Sequence, residues 1–281
     1  MSACVYDTVS VVRFLHFDNI LLKGMKYNMN IAIVTGASSG MGMEFARQLD
    51  HSLRKTDEIW LLARRREPME ELADAMRTRA KTIVIDMTNE KEIDQFAEVL
   101  AISNPKITVL VNCAGVGSHG AFLKQSDEEV AAMVRLNIMA LTQMTKICLP
   151  YMRRGSRIIQ FSSGAAFVPQ AAFAVYAASK SYVYSLSRAL SKELRGRGIS
   201  VTAVCPGPVN TPFLEHAYGD ASHINGLRKL TMAKTECVVA RAIADCKTGK
   251  SVSVCGLPMK ALYLMTQGVQ NVLQMFMQRV M

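Results

Sequence analysis

The chain has 281 residues, half of them hydrophobic and 20% charged, which is enough apolar material for one sizeable core. Its formal charge of +10 admits an anionic partner, but the basic residues are spread along the chain, and no helix-turn-helix, zinc-finger or basic-zipper pattern accompanies the short clusters at Arg64 to Arg66 and at Arg153, Arg154 and Arg157. That argues against a nucleic-acid partner, while seven scattered cysteines, never spaced C-x-x-C, argue against a disulfide framework or a zinc site and fit a reducing, cytoplasmic compartment.

Residues 1 to 28 form an N-terminal extension whose apolar stretches are broken by Asp7, Arg13, His16, Asp18 and Lys23, a poor fit to a signal peptide. The extension reads as a mobile arm or as an upstream-start artefact, because Met29 opens a segment with the look of a domain start. No uninterrupted apolar run approaches the roughly 18 residues that a membrane-spanning helix needs.

From Ile31 onward, short β-branched runs alternate with longer segments of helical period, the pattern of βαβ units. Strands are predicted at Ile31 to Thr35, Glu58 to Ala63, Thr82 to Asp86, Ile107 to Asn112, Arg157 to Ser162, Ser200 to Cys205 and Ser251 to Cys255. Helices are predicted at about Met41 to Leu53, Pro68 to Arg77, Glu90 to Ile102, Asp127 to Met152, Tyr176 to Arg195 and Thr235 to Asp245. Asp127 is the expected cap of the long middle helix, and Gly196 and Gly198 are the expected stop of the next. The expectation is one α/β domain over residues 29 to 256, a doubly wound, Rossmann-type parallel sheet of seven strands with helices on both faces.

Thr35-Gly36-Ala37-Ser38-Ser39-Gly40-Met41-Gly42 follows the first strand and opens the first helix. Glycines in that position allow a tight turn, backbone approach to a pyrophosphate and close packing of helix on strand, and the helix N-terminus offers N–H donors. The spacing T-G-x-x-x-G-x-G resembles the short-chain dehydrogenase/reductase family, in which Gly36, Ser38, Ser39, Gly40, Met41 and Gly42 would hold a dinucleotide.

After the second strand, where NAD-selective folds carry a carboxylate, stands Ala63, followed by Arg64, Arg65 and Arg66. Guanidinium groups without a carboxylate favour the phosphorylated ribose of NADP(H) over NAD(H), with Arg64 the first choice of contact and Arg65 beside it. Three arginines after a strand are equally the pattern of a solvated loop. Asp86, with Met87 next to it, stands where the family contacts the adenine ring. Asn112-Cys113-Ala114-Gly115 resembles the family's N-A-G turn, with Cys113 intervening; the resemblance implies that Asn112, Ala114 and Gly115 line the cofactor.

Tyr176 and Lys180 are four apart, so on a helix they share one face, and an ammonium near a phenol stabilises the phenolate. Ser163 lies thirteen residues earlier at a strand end, with Ser162 adjacent to it, and Asn137 sits in the apolar setting Leu136-Asn137-Ile138. Together Asn137, Ser163, Tyr176 and Lys180 resemble the family's catalytic tetrad in order and spacing. The resemblance implies that Tyr176 transfers the proton, Lys180 contacts the nicotinamide ribose and lowers the Tyr176 pKa, Ser163 polarises the substrate oxygen, and Asn137 holds a water linking Lys180 to solvent. Pro206-Gly207-Pro208-Val209-Asn210-Thr211 resembles the family's P-G-x-x-x-T turn, which implies cofactor contacts from Pro206, Gly207, Val209 and Thr211.

The stretch from Pro212 to about Lys234 could close over substrate or be ordinary surface, and its His216 and His223 have no partners spaced for a metal. Residues 257 to 281 form an apolar helical segment, with Leu262, Met265, Val269, Val272, Leu273, Phe276 and Val280 on one stripe widened by Met275, Met277 and Met281. Core or subunit packing is the simpler reading; a substrate-pocket wall or a weak membrane-surface contact are the alternatives.

These readings converge on an NADP(H)-dependent oxidoreductase that interconverts a carbonyl and a secondary alcohol, on a lipophilic small molecule such as a hydroxysteroid or ketosteroid. The alternatives are a 3-oxoacyl thioester reductase and a non-catalytic NADP(H)-binding sensor. The resemblance also implies a homodimer or homotetramer, assembled through the two long middle helices.

Overall fold

The computed structural model describes residues 29–53, 55–218 and 232–266. The expectations for residues 1–28, for His223, and for the stripe from Val269 to Met281 lie outside the described residues, as does the side chain of His216.

The strands β1 (Asn30–Thr35), β2 (Glu58–Ala63), β3 (Ala80–Val84), β4 (Lys106–Asn112), β5 (Met152–Phe161), β6 (Ser200–Val204) and β7 (Val252–Ser253) form one seven-stranded sheet in the order β3-β2-β1-β4-β5-β6-β7. Every neighbouring pair is parallel. The helices are α1 (Gly40–Ser52), α2 (Glu67–Asp74), α3 (Glu90–Ser103), α4 (Asp127–Val134), α5 (Leu141–Cys148), α6 (Ala174–Glu193), α7 (Pro212–Tyr218) and α8 (Thr235–Lys247). None of the described helices is long and apolar enough to cross a membrane.

Alternation along a strand sorts its side chains to the two faces. Ala32 and Val34 of β1 join Phe45 and Leu49 of α1 and Val238, Val239 and Ala242 of α8 in one core. Ile31 and Ile33 join Phe96 and Leu100 of α3 and Met144 of α5 in the other. With helices over both faces, a central strand has no wet side, which is why β2 is buried at all six positions. The order reverses between β1 and β4, so the chain leaves their carboxyl ends in opposite directions and opens a crevice there.

The middle of the chain departs from its expected form. The helix begins one residue earlier in capping terms: Ser126, not Asp127, is the N-cap, its hydroxyl accepting from Glu129 N while the Glu129 carboxylate accepts from Ser126 N at 2.8 Å. A serine with a glutamate three residues on satisfies two orphan donors at once, so it wins over Asp127, which falls in the first turn. The helix is then interrupted by a π-helical stretch, Arg135–Ala140, before α5 resumes. It ends short of Met152, because Pro150 has no N–H to continue the ladder; a 3-10 turn at Leu149–Tyr151 leads directly into β5. That strand starts five residues before the expected Arg157, whereas β3 stops at Val84, short of Asp86, and β7 is two residues long. The helix α6 begins at Ala174, and Gly198 follows it in a left-handed conformation.

Trp60, the chain's one tryptophan, is fully buried on the α3 side, with its indole N–H donating to Glu58 at 2.6 Å and Phe96 packed edge-on at 6.2 Å. Phe96→Ala should therefore cost about 3–5 kcal/mol. Urea unfolding followed by Trp60 emission checks this, and the native emission of the variant should already report a loosened environment.

Candidate active site

The glycine turn is shaped by what a side chain would strike. Gly36 has φ +70°, and a Cβ there would lie 2.9 Å from Ala114 Cα, in the turn that follows β4. A Cβ on Gly42 would fall on the Gly36 carbonyl oxygen. Thr35, fully buried at the end of β1, accepts through Oγ1 from Cys113 N at 3.0 Å and Ala114 N at 3.1 Å. These contacts press the two diverging loops together at the floor of the crevice.

Above that floor is a cavity of about 870 Å³. Gly36, Ser38, Ser39, Gly40, Met41 and Gly42 line one end, with the N-terminus of the 13-residue α1 facing it. Arg64, Arg65, Asp86 and Met87 border that same end; Ala114 and Gly115 form the floor. Pro206, Gly207, Val209 and Thr211 close one side, and Ser163, Tyr176 and Lys180 stand along the wall. Glycines that leave the backbone bare, a helix N-terminus and flanking guanidiniums fit an extended diphosphate nucleotide.

The three arginines part company. Arg65 donates to Ser38 Oγ at 3.3 Å and to Ser38 O at 3.4 Å, which ties it to the glycine turn, whereas Arg66 pairs with Glu70 in solvent. Arg64 lines the cavity from an exposed position, so the first-choice contact read from sequence is the less anchored of the two. Asp86 accepts through Oδ1 from Thr88 N and Thr88 Oγ1, which holds its carboxylate at the cavity rim.

Two expected residues face elsewhere. Asn112 lies behind the floor, its amide N–H₂ donating to Thr145 Oγ1 at 2.9 Å and Gln160 Oε1 at 3.0 Å, so its side chain braces β4 against β5 and α5 rather than lining the cavity. Asn137, fully buried in the π-helical stretch, also stays out of the lining: it donates to Val116 O and Ser179 Oγ and accepts from Val116 N. The widened turn aims this side chain at the loop after β4, a use often made of π-bulges. Gly115 is the point where the groups converge, since a Cβ on it would lie 3.0 Å from Asn137 Oδ1 and 3.2 Å from Lys180 Nζ.

The two serines are also separated by their bonds. Ser162 is buried and donates to Lys180 O at 2.7 Å, a brace between β5 and α6. Ser163, whose Oγ accepts from Ala165 N at 3.1 Å, is the one close enough to the Tyr176 hydroxyl to favour its ionised form. Lys180 Nζ donates to Phe161 O at 3.0 Å and lies 5.6 Å from the Tyr176 ring centroid.

Burial governs the titration of both groups. Desolvation lowers Lys180 from 10.5 to about 8, opposed by the nearby thiols of Cys113 and Cys205. Tyr176 is pushed up, first by desolvation and secondarily by Tyr218, with Ser163 pulling the other way. The direction is opposite to the lowering expected from Lys180, because burial in apolar surroundings disfavours the phenolate.

Sequence reading missed the apolar end of the cavity. Phe173 stacks on Tyr176 with ring centroids 4.3 Å apart, and Phe213 of α7 approaches Tyr176 at 5.4 Å. Tyr218, also on α7, contacts Phe173, and Met259 and Leu262 reach in from the helical residues 257–266. Met259 occupies the space that a Cβ on Gly164 would fill, next to Ser163. Of the expected C-terminal stripe, Leu262 therefore walls the cavity while Met265 is exposed. Only Phe173 left a local signal, an aromatic one helical turn before Tyr176; the others arrive from distant parts of the chain.

The pattern of the short chain dehydrogenase family matches residues 30–221. An uncharacterized oxidoreductase of Staphylococcus epidermidis is 31% identical over 68% of this chain and 82% of its own length. The 17-beta-hydroxysteroid dehydrogenase type 3 of Mus musculus is 33% identical over 72% of this chain and 68% of its own. Among solved structures, a short-chain dehydrogenase from Sphingobium yanoikuyae in complex with NADPH superposes with a TM-score of 0.75 at 25% identity, over 88% of this chain and 95% of its own.

The Lys180 shift has a sign that can be measured. A folded-state pKa of about 8 below an ordinary 10.5 means that the unfolded chain takes up this proton first as pH falls, so the group's contribution to stability improves as pH rises through that window. Wild type should gain on the order of 3 kcal/mol relative to Lys180→Met across it, read by urea denaturation at stepped pH. A pH-independent difference between the two would contradict the burial of the charge.

Proposed function

The chain belongs to the short-chain dehydrogenase/reductase family, a family of oxidoreductases, and from that premise we propose that it interconverts a carbonyl and a secondary alcohol with NADP(H), on a lipophilic substrate. The observation that carries the reading is Ser163, Tyr176 and Lys180 gathered on one cavity wall, with the glycine turn and two arginines at the far end.

The dinucleotide, when bound, supplies or takes up the hydride. Gly36, Gly40 and Gly42 leave room for its diphosphate, and Arg65, anchored on Ser38, offers charge and forked donors to a ribose phosphate with Arg64 beside it. The absence of a carboxylate at Ala63 removes what would repel that phosphate. Asn112 acts as a brace for the floor rather than as a ligand.

At the other end, the Ser163 hydroxyl bonds the substrate oxygen and holds it toward Tyr176. The Tyr176 hydroxyl gives its proton to the carbonyl oxygen during reduction and takes one from the alcohol in reverse. Lys180, fixed by Phe161 O, keeps a positive charge beside the phenol as it loses that proton. The gap at Gly115 between Asn137 Oδ1 and Lys180 Nζ suits a water that relays the proton onward.

Lipophilicity is supported by the lining. Among the described residues, the charged ones that line the cavity are Arg64, Arg65 and Asp86 at the nucleotide end and Lys180 on the wall; around Tyr176 the surface is Phe173, Phe213, Tyr218, Met259 and Leu262. A 17-beta-hydroxysteroid dehydrogenase among the relatives points the same way. A homodimer or homotetramer built on the middle helices is supported by exposed Val134 and Met139 there and by Tyr182 on α6.

Tyr176→Phe should abolish turnover, by about 10³-fold or more, while NADPH affinity by fluorescence titration stays within about twofold; unchanged turnover would remove the mechanism, and a wild type with no turnover on any substrate would leave a binding protein. The substrate class is tested by following NADPH and NADH oxidation with ketosteroids, oxoacyl thioesters, simple ketones and sugars. Ketosteroids should lead, and Arg65→Ala should weaken NADPH about tenfold with little effect on NADH. Equal loss for the two cofactors would refute the phosphate reading.

A further inference from the structure

Among the described residues, two other than glycine hold positive φ: Asn104 and Ala172. Asn104 is unremarkable, because it caps the end of α3 and asparagine tolerates that conformation. Ala172, with φ +58°, has no polar side chain to compensate for crowding its own Cβ. Strain of this kind persists only where the surroundings impose it, and it gathers at functional sites.

The bonds that impose it are on the page. Ala172 O accepts from Gly120 N at 2.8 Å, pinning it to the loop after β4, and Phe173 N donates back to Gln170 O at 3.3 Å. The kink delivers Phe173 to the N-cap position of α6, with φ −143° and ψ 26°, instead of letting it extend the helix. Its ring, 5% exposed, then lies on the Tyr176 ring at 4.3 Å with only 24° between the planes. His119 and Tyr218 contact the same phenylalanine at 5.9 and 5.7 Å and back it from behind the loop and from α7.

We propose that Phe173, aimed by the left-handed Ala172, is a positioning residue for the Tyr176 hydroxyl, holding the phenol in place beside Ser163 and disfavouring its loss of the proton until a reaction draws it. This rests on the proposed role of Tyr176 and adds a residue to it. Two physical effects combine. A ring stacked on one face of the phenol blocks the swing about Cα–Cβ that would carry the hydroxyl away from Ser163, and so removes misaligned states that cannot reach substrate. The negative face of a benzene ring also opposes charge building on a phenolate stacked against it. The groups that bear on the same phenol are Ser163, beside its hydroxyl; Lys180 one turn along α6, with Cys113 and Cys205 near that ammonium; and Tyr218 and His119 across Phe173.

The test compares Phe173→Leu, Phe173→Met and Phe173→Tyr with wild type, together with Ala172→Val, whose branched side chain resists positive φ. Leucine, methionine and the valine variant should lower kcat for carbonyl reduction about tenfold while KM for NADPH stays within about twofold, and tyrosine at 173 should restore kcat to within about threefold. A second readout needs no substrate: the Tyr176 Cζ carbon resonance, assigned by its loss in Tyr176→Phe. It should show no ionisation up to about pH 10 in wild type and an onset at lower pH in the ring-less variants. Methionine, unbranched and able to adapt to an irregular gap, serves should leucine prevent folding. The inference is overturned if the ring-less variants keep either the wild-type kcat or the wild-type resonance titration, if kcat falls only in step with NADPH affinity and melting temperature, or if tyrosine is as poor as leucine. Absence of carbonyl reduction by wild type would overturn the role of Tyr176, whereas an unmoved resonance would overturn only the stack.

Discussion

The close approach of two backbone segments underlies everything else in this protein. At the ends of β1 and β4 the chain diverges to opposite faces of the sheet, yet Gly36 sits so near Ala114 that no Cβ could come between them, and Thr35 stitches the turns together through two N–H groups. A crevice with a tight floor results. The N-terminus of α1 looks into it from one side and helix α6 from the other, so a ligand laid along the floor meets backbone donors at one end and Tyr176 at the other.

The second constraint is dryness. Tyr176 and Lys180 are both buried, and burial raises the phenol and lowers the amine, so that each group is displaced toward its neutral form. The one-turn spacing of the pair suggests an ammonium that makes a phenol acidic; in the packed chain burial instead favours the protonated phenol. Ser163, beside the hydroxyl, opposes this, and Phe173 and Phe213 enforce it by excluding water.

Much of this was legible in the residues themselves. Apolar runs with β-branched content, separated by helical periodicity, are what a sheet covered on both faces demands, and all seven strands were identifiable from them. The glycine spacing after β1, and the interval from Ser163 to Tyr176 to Lys180, are local facts of one chain. They survive into the fold because a turn and a helix preserve sequence distance. Boundaries were less legible: the cap moved from Asp127 to Ser126, and the long middle helix broke at Arg135–Ala140, because capping and π-turn geometry are decided by competing hydrogen bonds rather than by hydrophobic period.

The sequence by itself determined the fold class, the family and the spacing that puts Tyr176 and Lys180 on one face of a helix, since each depends on periodicity or on spacing within one element. Only the tertiary structure decided what surrounds them. Phe213, Tyr218, Met259 and Leu262 reach the cavity from segments far from Tyr176 in the chain, Asn112 turns out to brace the floor, and Arg65 rather than Arg64 is tied to the glycine turn. No period in a sequence encodes which distant side chains will meet, because that is settled by packing, where burial and the satisfaction of every polar group are optimised together.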